Sequence, residues 1–158
     1  MAIYYNMCVD CGADTALADL LESHFRDYVL QFDDRDSVRC KTLRSMERGI
    51  EFIGVEPVGM GHGTLPAEFR RSDLVAPDIV QTIRTNLYRE LEQFSGFRRA
   101  MFGAECWDQL VLCADDDMDI GYSWMISSID HFTEAPDDRK IERYNEACRI
   151  VVGEAPAT

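Results

Sequence analysis

Val38 to Glu56 reads VRCKTLRSMERGIEFIGVE, and the fold turns on how this stretch is taken. Val38, Cys40 and Thr42 alternate as a strand does, with side chains going to opposite faces. Cys40, Leu43 and Met46 also fit a short helix ending at Gly49, so residues 38–48 admit both readings. The hairpin is preferred: a strand from Val38 to Leu43, a turn through Arg48-Gly49, and a return strand from Ile50 to Glu56. The second arm is the surer one, because Ile50, Phe52, Ile53 and Val55 are aromatic or β-branched.

Working outward from the hairpin gives the order of elements. Toward the N-terminus, Ile3 to Val9 reads as a first strand. Gly12 breaks it and Asp14 is a good N-cap. Leu17, Leu20, Leu21, Phe25, Tyr28 and Phe32 then follow at helical spacing. Toward the C-terminus comes a glycine-rich loop, Pro57 to Pro66. Pro77 suits the first turn of a second helix, whose stripe is Ile79, Ile83, Leu87 and Leu91, ended at Ser95-Gly96. Phe97 to Trp107 alternates, with Ala100, Phe102, Ala104 and Cys106 on one face. Leu110 to Cys113 and Ile120 to Ile126 complete an antiparallel meander. A third helix is expected from about Pro136 to Val152, carrying Ile141, Tyr144, Cys148 and Val151 inward.

Strands and helices do not alternate one for one, so the reading is α+β. The expected architecture is a mixed or mainly antiparallel sheet with about three helices packed on it. One domain should cover residues 1–153, with 154–158 a disordered tail. The 158 residues suffice to bury a core without disulfide or metal.

The formal net charge is −13. Such a chain repels a phosphate backbone, and no Lys/Arg cluster is present to dock on an anionic membrane. The N-terminal MAIYYNMCVDCG lacks the features of a signal peptide. The expectation is a cytoplasmic protein with six reduced thiols and no cofactor.

Four short constellations could carry chemistry, and each is incomplete. Cys8-Val9-Asp10-Cys11 has the spacing of a redox pair, but the helix begins too late to activate Cys8. Cys8, Cys11 and His24 imitate half of a zinc finger, yet Asp27, Tyr28 and Val29 stand where the second histidine belongs. His62 sits among Gly59, Gly61 and Gly63, where it could act as a general base, although no P-loop lysine follows. Asp115, Asp117 and Asp119 have calcium-loop spacing, but Ile120 replaces the glycine and Ile126 the glutamate.

What remains is the charge itself. Asp33, Asp34 and Asp36 form one dense acidic loop; Asp115, Asp116, Asp117 and Asp119 form another. Both could steer and pair with a cationic surface. The expected function is an acidic interaction protein that binds a basic protein partner, with no catalytic motif. Immunity proteins that neutralise bacterial toxins are the functional class with this profile. The alternatives are an enzyme or a metal- or small-ligand-binding domain, built on His62 or on the Cys8/Cys11 pair.

Overall fold

The computed structural model describes residues 3–31, 37–58, 61–62, 77–104, 106–107, 110, 125–131 and 140–152. Its frame is one antiparallel sheet. The strands are β1 (Ile3–Asp10), β2 (Val29–Gln31), β3 (Ser37–Glu47), β4 (Ile50–Pro57), β5 (Gly61–His62), β6 (Arg99–Ala104), β7 (Ile126–Ser128), β8 (Lys140–Arg143) and β9 (Cys148–Val152). They lie side by side in the order β2-β3-β4-β1-β6-β7-β9-β8, with β5 paired to the start of β1. The long helices among the described residues are α1 (Thr15–Phe25) and α2 (Pro77–Leu91), with a short 3-10 turn at Ile129–His131. The α+β class and the single domain agree with the sequence.

The hairpin reading of residues 38–56 holds. β3 and β4 pair from Cys40↔Pro57 to Glu47↔Ile50, leaving Arg48 and Gly49 as a two-residue turn. Both have positive φ, 53° and 79°. That is the type I′ turn whose twist matches the flanking strands. β4 is buried along its whole length, as the second-to-centre strand of a sheet covered on both faces must be.

Both helices lie on one face. Leu17, Ala18, Leu21 and Phe25 of α1 and Ile83, Leu87, Tyr88 and Leu91 of α2 share a core with Met7, Val9, Ile53, Val55, Ala100 and Phe102. Asp14 caps α1, its carboxylate accepting the Leu17 N–H at 2.9 Å. The opposite face carries a smaller core of Cys8, Ile50, Phe52, Met101, Met125 and Val151, against which Cys106, Trp107 and Leu110 pack.

Two local expectations give way first: Leu110, expected to begin a strand, is helical, and Gly61–His62, expected within a loop, form β5. Three larger ones also need correction. The first helix stops at Phe25, where Asp27 takes a φ of 61°; the next residues form β2 rather than a further turn. Leu20 lies off the buried side of α1 formed by Leu17, Ala18, Leu21 and Phe25, and is 61% exposed and not core. Cys106 does not share a face with Ala100, because the chain turns helical at Cys106 and Trp107 and swings the thiol to the second core. The third correction is the largest. The C-terminal segment is a β8–β9 hairpin, not a third helix.

The spacing of Ile141, Tyr144, Cys148 and Val151 fits a helical face, but Ile150-Val151-Val152 is a β-branched run that favours strand. Asn145 then fixes the reversal: its side-chain oxygen accepts the N–H groups of Ala147 and Cys148 at 2.9 and 2.8 Å. Asparagine does this readily in turns. Cys148 and Ile150 go to the helix-bearing face, and Val151 to the other.

Candidate functional site

The cysteine pair is separated by the pleat of β1 and its extension. Cys11 belongs to the core under the helices and Cys8 to the core on the other face. Both are buried. Burial, with Asp10 next in effect, pushes the Cys11 thiol up to about 12. Burial also raises Cys8 well above the usual thiol range, with Cys106 and Asp10 adding to it. A thiolate at either position is disfavoured, so the nucleophile of redox or metal chemistry is the minor form there.

His24 is turned away from both thiols. Its Nε2 lies 3.0 Å from Glu90 Oε2. Its ring stands edge-on to Phe25 and Phe94, with centroids 4.9 and 5.1 Å away. It therefore joins the end of α1 to the end of α2. Among the described residues no group of three His, Cys, Asp or Glu side chains is placed to share a metal ion. His62 lies in β5 with its backbone opposite Ile3. Asp33, Asp34 and Asp36, and Asp115, Asp116, Asp117 and Asp119, lie outside the described residues.

An acidic site that sequence reading missed lies on α1 and β3. The Arg44 side chain reaches Asp19 at 2.6 Å and Glu22 at 3.2 Å through Nη1. Its Nε and Nη2 each donate to Glu51, both at 3.1 Å. Thr15 Oγ1 donates to the same carboxylate at 3.4 Å. Three carboxylates thus share the Arg44 guanidinium, and with Arg26 also paired to Glu22 at 2.9 Å the cluster carries one net negative charge. Arg44 holds Glu51 below the ordinary carboxylate range. Glu22 is lowered too, first by its hydrogen bond with Arg26 and then by Arg44. Glu51 and Glu22 therefore stay ionised at neutral pH.

Apolar side chains flank this cluster. Leu20, next to Asp19, and Met46, the cross-strand partner of Glu51, are each 61% exposed. The signal existed in the sequence: Asp19 and Glu22 are three apart and so share one flank of α1. What could not be read was that β3 would bring Arg44 to that flank.

Elsewhere, a shallow depression of about 390 Å³ on the outer side of α2 is lined by Gln81, Thr82, Thr85, Asn86 and Arg89. It offers hydrogen-bonding groups and one cation but no acid–base pair.

Comparison with protein-family models, curated proteins and solved structures finds no match for this chain. Function has to be argued from the site itself.

Proposed function

We propose that the chain is an acidic interaction protein whose partner is a basic protein. The observation that carries the reading is the α1–β3 surface. A net-negative cluster of Asp19, Glu22 and Glu51 around Arg44 and Arg26 lies beside two exposed apolar side chains, Leu20 and Met46. The net charge of −13 extends that field over the molecule. Charge gives the partner its direction and register, and a desolvated apolar anchor supplies most of the affinity. The aspartates at 33–36 and 115–119 would add to the steering. An immunity protein that neutralises a basic bacterial toxin, in the cytoplasm of the cell that makes it, is the form of this function we favour. The buried, high-pKa thiols of Cys8 and Cys11 weigh against the redox alternative.

The test begins with a basic protein captured from the cells that carry this gene, then identified and purified. Its association rate is measured against ionic strength. The rate should fall steeply as salt rises, because the field then reaches only about 8 Å at physiological ionic strength. Replacing Asp115, Asp116 and Asp117 with asparagine should slow association, and so should Asp19→Asn. Leu20→Ser should instead speed dissociation. An association rate indifferent to salt and to all four aspartate changes would leave the acidity with a solubilising role alone.

A further inference from the structure

Antiparallel pairing sets directly opposed residues on the same side of the sheet, about 5 Å apart. On the face away from the helices, one such row runs Asp10, Arg99, Ser127, Arg149, Arg143 across β1, β6, β7, β9 and β8. Its inner end has an acid partner: Asp10 Oδ2 lies 3.2 Å from Arg98 Nη2 and 3.8 Å from Arg99 Nε. Its outer end has none among the described residues. Arg143 and Arg149 face each other directly, and among the described residues neither forms an ion pair with a carboxylate. Arg143 Nε donates to the Asn145 carbonyl at 3.4 Å, and Arg149 Nη1 to the Cys148 carbonyl at 3.2 Å.

Like charges directly opposed across strands are destabilising. In a chain with 29 acidic and 16 basic residues, an arginine pair without an acid among the described residues is out of keeping with the overall charge. Beside it lies a second unsatisfied group. Ser127 is 1% exposed and its hydroxyl has no hydrogen-bond partner among the described residues. Leaving a buried hydroxyl unpaired costs free energy. One occupant would relieve both: an anion that takes guanidinium donors from Arg143 and Arg149 and a hydroxyl donor from Ser127 on the same face.

We propose that Arg149, Arg143 and Ser127 form a binding site for a phosphate group, either free or carried by a small molecule. Two guanidinium forks match a dianion with several acceptor oxygens better than they match a single carboxylate. Burial is graded along the row, from Ser127 buried through Arg149 half-buried to Arg143 exposed. The ligand therefore enters from the β8 edge and its oxygens reach inward to the serine. The site is independent of the acidic surface on α1 and β3, which lies at the other end of the sheet order.

The experiment titrates the full chain with inorganic phosphate and, separately, with glycerol phosphate, holding ionic strength constant with chloride. Thermal melting and the arginine Nε–H resonances are the readouts. Saturable shifts of the Arg143 and Arg149 signals are expected, with a melting temperature raised by a few degrees through mass action. Tighter binding of glycerol phosphate assigns the site to phosphate monoesters; tighter binding of inorganic phosphate assigns it to the free ion. Arg149→Gln and Arg143→Gln should each weaken phosphate by about tenfold, and Ser127→Ala by a smaller factor. In phosphate-free buffer Arg143→Gln should melt no lower than the parent, since it removes a repulsion. The proposal is overturned if the arginine signals do not saturate, or if chloride alone reproduces the melting shift. Unchanged phosphate affinity in Ser127→Ala and Arg143→Gln would overturn it equally, and those two need no change at the half-buried position.

Discussion

Arg44 shows how much one residue can organise when its neighbours are acids. Its bonds to Glu51, Asp19 and Glu22 raise its own pKa further and lower those of Glu51 and Glu22. The consequence for stability has a definite sign. A carboxyl whose folded pKa lies below its unfolded value, about 4.3 for glutamate, stabilises the fold at neutral pH. That stabilisation is lost as pH falls through the folded pKa. An Arg44→Met protein should therefore show a flatter loss of melting temperature between about pH 5 and pH 2 than the parent. Some slope will persist, because Arg26 still bonds Glu22 at 2.9 Å. An unchanged acid limb would mean that Arg44 is not what lowers these carboxyls. The five described cysteines illustrate the opposite environment. Burial pushes Cys40 and Cys106 up to about 12 and Cys148 to about 11, so they act as small hydrophobes rather than as reagents.

Packing of the elements against one another exposes what the strand pattern alone leaves open. Gly54 lies inside β4, where glycine weakens a strand unless something needs the space. Here the Trp107 indole does: a Cβ at Gly54 would come within 2.8 Å of its Cε3 atom and 2.9 Å of its Cζ3. Trp107 is held by its own backbone N–H, which donates to Asn6 Oδ1 at 3.1 Å. Gly54→Ala should then cost about 1–3 kcal/mol by overpacking and shift the tryptophan fluorescence. A parent-like Gly54→Ala would show that the indole moves aside freely. The sequence made β1, α1, β4 and α2 legible through their apolar patterns. It made β3 legible through its pairing with the surer β4, since residues 38–48 by themselves fit a helix as well as a strand. It did not reveal β2, since Tyr28 continues the spacing of Leu21 and Phe25; the break depends on the left-handed Asp27. Nor did it reveal the β8–β9 hairpin, where 3.6-residue spacing and β-branched composition disagree and cross-strand pairing decides. The site was the less legible part for the same reason. Arg44 meets Asp19, and Arg143 meets Arg149, only through strand register, which a linear pattern does not contain.

Seen as a whole molecule, the fold depends on α2 to connect the two halves of the sheet. Asn86 Nδ2 donates to the Gln31 carbonyl of β2 at 3.4 Å. The Tyr88 hydroxyl accepts the Phe102 N–H of β6 at 3.0 Å. The Tyr144 hydroxyl, from the last hairpin, donates to the Tyr88 carbonyl. Asn145 Nδ2 donates to the Glu92 and Phe94 carbonyls just beyond the helix, at 3.3 and 3.1 Å. Both sheet edges are thus tied to one helix, whose grip on the sheet is the buried side of Ile83, Leu87 and Leu91. Leu87 sits at the middle of that stripe and is fully buried. Leu87→Ala removes apolar burial and leaves a cavity under a helix that cannot easily settle, because it is held from both sides. The expected cost is about 2–5 kcal/mol. Since the helix belongs to both halves, the loss should fall on the whole domain. Urea unfolding should move to a lower midpoint with an unchanged slope, and near- and far-ultraviolet circular dichroism should report the same transition. Two separated transitions in the variant would mean that the β2–β3–β4 side and the β7–β9–β8 side fold independently of α2. A parent-like midpoint would mean that the stripe is not the grip described.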